Sequence, residues 1–410
     1  MTRTERTYYV VTCLYRIAWA ALGPTYALFL LSRGLDLLEL NLVLATYLVT
    51  TCLFEIPTGA VADVFGRKIS FVLSCLVRAA AFGIYYLSSS LSAFIIAEVI
   101  DAIGTTLATG ALDAWAVDGV RAEGDSRPAD RLFARAQVIG QASMIASGLL
   151  TALWTADDLS RAWLVGMSSF LACAAFGALA MHEAPRPQRA AAAPRYSLAD
   201  TVREALTMVR DAPVMRGLCF MTMATMFATM PAFHMWQPRL SGLAGAGAEL
   251  TGWVWVGLAL SSLFGSALIP RLVPRLGRAT ALSATLAWRA LTLGIAGASA
   301  GFPLALMGFT LQEIGSGFSE PVLQAWMNEQ ANDARRATVL SVRSMAFTLG
   351  GGTGLVVLGW LARRTDIGLI WMISAAVLAL IAPGYLLVGR VDRGVLFSPQ
   401  VRDSGRPADG

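Results

Sequence analysis

The chain repeats its own pattern 211 residues downstream. Gly66-Arg67 returns as Gly277-Arg278, Arg78 as Arg289, Gly83 as Gly294, Gly104 as Gly315 and Trp115 as Trp326, all at that one offset and without a gap. Two of the repeated residues are arginines deep inside apolar stretches. A long internal repeat means two like halves. In a membrane, two such halves imply a two-bundle transporter with a cleft between them.

Composition places the chain in a membrane. Hydrophobic residues make up 56% of it, charged residues only 14%, and the mean hydropathy is +0.60. A soluble domain carries about 25% charged residues. A helix crosses the bilayer with about 20 apolar residues. About twelve stretches of that kind are present: 8–31, 37–60, 68–88, 91–119, 133–154, 161–181, 213–238, 249–270, 279–299, 302–329, 341–361 and 367–389. The first is long enough to span and lacks the small-residue exit of a cleaved signal peptide. The net charge of +5 sits in short loops rather than on one face, which argues against nucleic acid. Cys13, Cys52, Cys75, Cys173 and Cys219 all lie in apolar stretches without a CxxC pair, so packing is expected of them rather than disulfides. With only His182 and His234, far apart, no metal site is expected, and no cofactor. There is no HExxH or phosphate loop, so the chain reads as neither a metalloprotease-type enzyme nor an ATP-driven pump.

The expected fold is all-α and integral to the membrane: twelve transmembrane helices in two pseudo-symmetric six-helix bundles. The expected domains are a bundle over 1–181, a cytoplasmic linker over 182–212, a second bundle over 213–390 and a polar cytoplasmic tail over 391–410. The linker holds Pro185, Pro187 and Pro194, and Ser197-Leu198-Ala199-Asp200 matches a capping box. Leu198, Val202, Leu206 and Val209 then recur at helical spacing, as in a short amphipathic helix on the membrane surface. Arginine bias among the loops puts both termini on the cytoplasmic side of a cytoplasmic (inner) cell membrane. Arg363-Arg364 on the outer side runs against that bias.

Gly59-Ala60-Val61-Ala62-Asp63-Val64-Phe65-Gly66-Arg67-Lys68, between the second and third spans, resembles the G-x-x-x-D-x-x-G-R-K loop of the major facilitator superfamily. Length, span count, central linker and repeat agree with it over nearly the whole chain. The resemblance implies alternating access, with Gly59, Asp63, Gly66, Arg67 and Lys68 holding the cytoplasmic side closed. Asp63 is expected to pair with Arg67 or a neighbouring arginine. In the second half Pro270 and Pro274 stand at the places of Gly59 and Asp63, so only the Gly277-Arg278 end survives. Two positions depart from the pattern of the family's drug/proton antiporters. Glu98 and Ala102 stand where many members have an arginine and a glycine, and Gly140–Gly148 lacks the glycine–proline pair.

Ionisable groups within the bilayer cost about 2.5–3.5 kcal/mol each on insertion scales and tend to pair in the bundle interior. Arg78 and Arg289 lie near mid-span, and Asp101 is about 6 Å from the midpoint of its span. Two symmetry-related ion pairs are therefore expected, Arg78 with Asp101 and Arg289 with Glu313, with Glu98 and Glu320 as competing partners. Such carboxylates are structural ties or proton carriers. Arg16, Glu55 and Asp113 form a second cluster on the inner side, suited to a cationic substrate, a proton or a gate. Asp118 and Glu329 are expected to be solvated or paired with loop arginines.

Met223, Met226 and Met230 share one face of the seventh span, with His234, Trp236 and Gln237 near its outer end. Together with Trp115 and Trp326, these are the expected substrate surface or ordinary packing and anchoring residues. Methionine suits a pocket that accepts varied shapes. Gly350, Gly351, Gly352 and Gly354 suit a hinge or close helix contact. The favoured function is proton-coupled efflux (antiport) of small amphipathic molecules or drugs. The alternatives are a proton-coupled metabolite importer and, from another class, a non-transporting membrane sensor or partner protein. The expected partners are a small-molecule substrate, protons and the lipid bilayer, with the protein a monomer.

Overall fold

The computed structural model describes residues 1–124, 129–183, 203, 207, 209–330 and 336–396. The expected surface helix and its Ser197–Asp200 turn fall outside them, as do Arg127, Arg335 and the tail from 397. Among the described residues the secondary structure is helical, without strands.

The helices are α1 (Arg3–Ala20), α2 (Tyr26–Ser32), α3 (Leu37–Phe65), α4 (Arg67–Leu87), α5 (Leu91–Ala108), α6 (Ala111–Ala122), α7 (Asp130–Trp154) and α8 (Arg161–Ala180). They continue as α9 (Pro213–His234), α10 (Trp236–Ala244), α11 (Ala248–Leu276), α12 (Arg278–Ala298), α13 (Phe302–Glu329), α14 (Arg336–Ala362), α15 (Ile367–Ile381) and α16 (Gly384–Leu396). Joined across short breaks, they form twelve spans. Among the described residues ten stretches are long and apolar enough to cross a membrane on their own. The first span is split into α1 and α2, with Arg3, Glu5, Arg6 and Arg16 in α1. The tenth, α13, carries Gln312, Glu313 and Glu320.

Local chemistry sets the ends. Thr2 and Asp36 open α1 and α3 with reciprocal capping boxes to Glu5 and Glu39. Gly66 and Gly277 separate α3 from α4 and α11 from α12 at φ +109° and +75°, a conformation that favours glycine. That explains their recurrence. Four spans are broken, which hydropathy alone did not reveal. The first breaks around Gly23-Pro24 and the seventh at Met235, matching positions of the repeat. The fourth breaks at Gly110 (φ +73°), whose counterpart Pro321 sits inside an unbroken α13. The twelfth breaks at Ala382-Pro383.

Two compact units are present. One contains Met1–Leu198, Phe233–Ala259 and Gly352–Ile367; the other contains Ala199–Ala232, Leu260–Gly351 and Gly368–Gly410. In the first unit α4 packs between α5 and α8, α3 lies on α5, and α1 lies on α7 and α8. Phe82, Tyr85, Phe94, Trp163 and Phe170 fill this interior, with Tyr85 stacked on Trp163 at 3.9 Å. In the second unit α12 packs on α13 and α16, and Phe309 stacks on Trp371.

Glycine decides the closest approach in both units. A Cβ on Gly104 would stand 2.5 Å from Cγ of Arg78, and one on Gly315 would collide with the same methylene of Arg289. The repeated Arg–Gly pairs are thus one device used twice: a long cation in one helix, laid over a bare backbone in the next. Gly104→Leu or Gly315→Leu is expected to destabilise the protein by about 1–3 kcal/mol through overpacking, read as a lowered unfolding temperature in detergent.

At the start of α1, Glu123 accepts the Thr4 amide (3.0 Å) and hydroxyl (2.5 Å). Burial pushes its carboxyl up, but bonds from Thr4, Thr2 and the amides of Thr4 and Arg3 outweigh this and hold it below the ordinary value. A lowered carboxylate stabilises the fold above its unfolded-state value and loses that contribution as pH falls through the folded one. Hydrogen exchange at the start of α1 should therefore rise on acidification below the carboxylate range, and Glu123→Gln should remove the pH dependence.

Candidate functional site

The polar centre of the first unit is built on Arg78, which is 2% exposed. Its Nε donates to Oδ1 of Asp101 at 2.7 Å and its Nη2 to Oδ2 at 3.1 Å, a two-pronged charge-assisted contact. Nη1 donates to the Tyr15 hydroxyl at 2.8 Å. The guanidinium lies 4.5 Å from the Phe170 ring centre and 5.3 Å from that of Tyr15, so aromatic faces replace water around the cation. Tyr47 of α3 donates to Thr105 on the next turn of α5.

Glu98, three residues before Asp101 on α5, is buried and does not join the pair. Tyr85 of α4 donates to its Oε2 in a very short hydrogen bond, and Tyr26 of α2 reaches the same oxygen at 3.4 Å. The two hydroxyls are 3.2 Å apart. Asp101 therefore has a cation, and Glu98 has tyrosines.

The second copy differs from the expectation. Arg289 Nε donates to Oε1 of Gln312 at 2.8 Å and its Nη1 to Ser319 at 3.4 Å. Gln312 then donates to Glu313 at 2.7 Å, so the glutamine stands between the arginine and the carboxylate. The reason is register. Asp101 lies 23 residues after Arg78, and 23 after Arg289 is Gln312, not Glu313. Glu320 does not compete for Arg289; it pairs with Arg343 of α14.

At the Gly59–Lys68 loop Asp63 is exposed in the last turn of α3. Arg67 reaches Asp118 of α6 through a short contact and the Ala114 carbonyl at 2.7 Å. Glu183 caps α4, accepting the Arg67 and Lys68 amides at 2.9 and 3.0 Å. In the second copy Arg278 pairs with Glu329 through both terminal nitrogens, so the Arg67–Asp118 tie recurs at the repeat offset. Trp115 and Trp326 are buried, and their indole N–H groups bond the His182 carbonyl and Asp392. They brace helix ends.

On the opposite face, Gln237 and Trp236 are buried rather than open. Gln237 accepts the Ala27 amide at 2.8 Å and donates to the Gly23 carbonyl at 2.6 Å. Asp36 takes Arg363 at 2.7 Å, and Asp366 takes Arg239 at 2.9 Å. Arg364 lies 4.0 Å over Trp360. Each arginine that departs from the loop bias thus has its own carboxylate or ring.

The remaining candidates lie on α1, α3, α6 and α9. Arg16 and Asp113 are exposed side chains within spans; Tyr8 donates to Asp113 at 2.6 Å, and Arg16 lies over Gly140 and near the Met144 sulfur. Glu55 is exposed on α3. Met223 is exposed, and Met226, Met230 and His234 are half-buried along α9. Gly350 lies against the Met223 backbone, which supports its reading as a close helix contact. Among the described residues no group of three or more His, Cys, Asp or Glu could hold a metal ion.

The sequence model of the Major Facilitator Superfamily matches residues 8–285 and 220–407. The chain belongs to the major facilitator superfamily. This makes it a multi-pass membrane transporter with the twelve-helix fold of that superfamily. It is 28% identical over 108 residues to an uncharacterized MFS-type transporter, YxaM, of Bacillus subtilis (strain 168), a match that spans 26% of this chain and 27% of that protein. Two solved transporters share the fold. The nucleoside transporter NupG superposes with a TM-score of 0.79 at 14% identity, over 95% of this chain and 100% of that one. The D-xylose-proton symporter does so with a TM-score of 0.68 at 16% identity, over 93% and 96%.

Within this transporter, sequence reasoning passed over the tyrosines around Glu98, the cap from Glu183 and the Gln237 contact. Their partners come from distant spans, and single polar residues carry no periodic signal. Gln312 was within reach, since the repeat offset points to it. The two kinds of ion pair should behave differently in denaturation experiments. Asp101→Asn strands a buried arginine and is expected to cost about 3–5 kcal/mol. Asp118→Asn, in a partly exposed pair, is expected to cost about 1 kcal/mol or less.

Proposed function

We propose that this transporter exchanges small amphipathic molecules for protons, exporting them by alternating access, and that Glu98 is the proton carrier. The observation that carries the reading is the contrast between two buried carboxylates one helical turn apart. Asp101 has its charge matched by Arg78, whereas among the described residues the hydrogen bonds to the Glu98 carboxyl come from tyrosine hydroxyls. An ionised carboxylate left in such a site lacks what buried charge requires. A group that gains and loses a proton as its surroundings alternate between packing and water fits that place. Asp101 then serves as the structural partner of Arg78, and Glu313, screened from Arg289 by Gln312, is the second candidate carrier.

Arg16, Glu55 and Asp113 are exposed at membrane depth, where a charge needs water rather than lipid. They suit a hydrated path for substrate or proton. Met223, Met226 and Met230 suit an adaptable apolar surface. We assign the Gly59–Lys68 loop with Asp63, Arg67 and Asp118 to gating on the cytoplasmic side. On this reading the protein works as a monomer of two six-helix halves, with both termini in the cytoplasm of a cell whose inner membrane it spans. A proton-coupled importer is the second reading, favoured by the unbroken, proline-free α7.

Proteoliposomes with a trapped pH indicator test the proposal. Amphipathic cations, weak bases, nucleosides and sugars are added outside in turn. Exchange raises the internal pH on substrate entry, and cotransport lowers it. The expected result is a rise with an amphipathic compound, lost in Glu98→Gln and kept in part in Asp113→Asn. A fall with a nucleoside or sugar would establish the importer. Wild-type exchange that survives Glu98→Gln would overturn the assignment of Glu98.

A further inference from the structure

The α2 helix is held at its start by two groups that the transport cycle would need to connect. Its N-cap residue, Thr25, makes no side-chain capping bond. The first amides of a helix lack intrahelical partners. Here the missing acceptor comes from Gln237, 210 residues away, which accepts from Ala27 at 2.8 Å and from Leu28 at 3.4 Å. Its amide nitrogen donates to the Gly23 carbonyl on the other side of the break, at 2.6 Å. One buried side chain thus spans the interruption in the first span. Beside Ala27, Tyr26 turns its hydroxyl to Glu98 and Tyr85. Glu98 and Gln237 therefore grip adjacent residues of one short helix.

We propose that Gln237 is the positioning residue that converts the proton state of Glu98 into opening or closing of the face that carries Asp36 and Arg363. This rests on Glu98 as the proton carrier. With Glu98 protonated, its hydroxyl and those of Tyr85 and Tyr26 form a neutral hydrogen-bonded chain. That chain seats α2 where Ala27 and Gly23 meet Gln237. When Glu98 loses its proton, a charge remains among aromatic rings with no cation bonded to it, and the packed arrangement becomes the costly one. Withdrawal of Tyr26 pulls α2 off Gln237, admits water to Glu98 and opens that face. Among the described residues the groups facing Glu98 give no alternative cation. They are Tyr26 of α2, Tyr85 of α4, Asp101 on α5 itself, and Arg78 of α4, already engaged by Asp101 and Tyr15 of α1; Tyr47 of α3 faces Thr105. The Asp36–Arg363 and Arg239–Asp366 pairs share that face, and both are solvent-exposed in part.

The test is hydrogen exchange, read by mass spectrometry on the full-length protein in lipid nanodiscs. The peptide covering Ala21–Ser32 is followed on either side of neutrality and corrected for the intrinsic pH dependence of exchange. In the wild type, protection of this peptide should fall as pH rises. Glu98→Gln, which stays neutral, should keep it protected at both pH values. Gln237→Ala should leave it unprotected at both, and should let protons leak through proteoliposomes without substrate, which a merely structural contact would not do. Tyr26→Phe should leave partial protection that no longer responds to pH. Wild-type protection independent of pH would overturn the coupling, even where the flux assay finds proton exchange through Glu98. A pH response that survives Glu98→Gln would overturn it as well. If flux is absent but the response is present and Glu98-dependent, the proton-gated clamp stands and the exporter reading falls. A global unfolding control keeps loss of fold from counting as loss of the clamp.

Discussion

The bond between Arg78 and Asp101 is the constraint around which the first unit is arranged. A cation in the bilayer interior is tolerated only where protein replaces its hydration. Here a carboxylate takes two of its donors, a tyrosine takes a third, and aromatic rings cover its faces. Those partners lie on α1, α5 and α8, so with its own α4 the one charge ties four helices. Gly104 lets α4 and α5 approach closely enough for the stem of the arginine to pass. Buried pairs of this kind add little net stability, since desolvation offsets attraction. What they give is a unique arrangement, because any other leaves the charge unpaired.

The second copy keeps the arginine and the glycine but not the carboxylate. Gln312 occupies the matching place and passes a hydrogen bond on to Glu313. Repeat symmetry therefore fixes backbone approach more strictly than it fixes charge. The Arg67–Asp118 and Arg278–Glu329 ties, by contrast, keep both partners even though the Gly59 and Asp63 positions have become prolines in the second half. A turn built on Gly-Arg, with an acid at the end of the next span, is the part of the loop that both halves retain.

The fold was largely legible because its signals are long: twelve apolar stretches, one offset and one loop motif. The breaks in the spans were not, since glycine and proline inside a membrane helix leave hydropathy unchanged and are tolerated where neighbouring groups satisfy the freed backbone. The site was legible where chemistry and register agree, as at Arg78 and Asp101. It was misread where they conflict: a search for a carboxylate selects Glu313, whereas register selects Gln312. Trp115 and Trp326 looked like surface because aromatic residues at span ends usually anchor in the interface; here the His182 carbonyl and the Asp392 carboxylate claim their N–H groups. The exposed arginines of the Asp36 face broke the loop bias for a related reason. That bias describes which loops cross a membrane during insertion, and it does not see a carboxylate brought alongside by folding.

The matched breaks of the first and seventh spans make the contact of Gln237 possible. An unbroken first span would satisfy the Ala27 amide within its own helix and offer Gln237 nothing. An unbroken seventh span would carry residue 237 along the axis of α9 rather than at the start of α10. Each interruption alone leaves backbone groups without partners at membrane depth, which is costly. Together they supply one another: the break in one half presents the donor and acceptor, and the break in the other presents the amide that bridges them. A hydrogen-bonded joint of this kind is weaker than packed helix, and so can open and reform. That is the physical reason to place a moving part of a transporter at a pair of helix breaks rather than at its Arg78–Asp101 core.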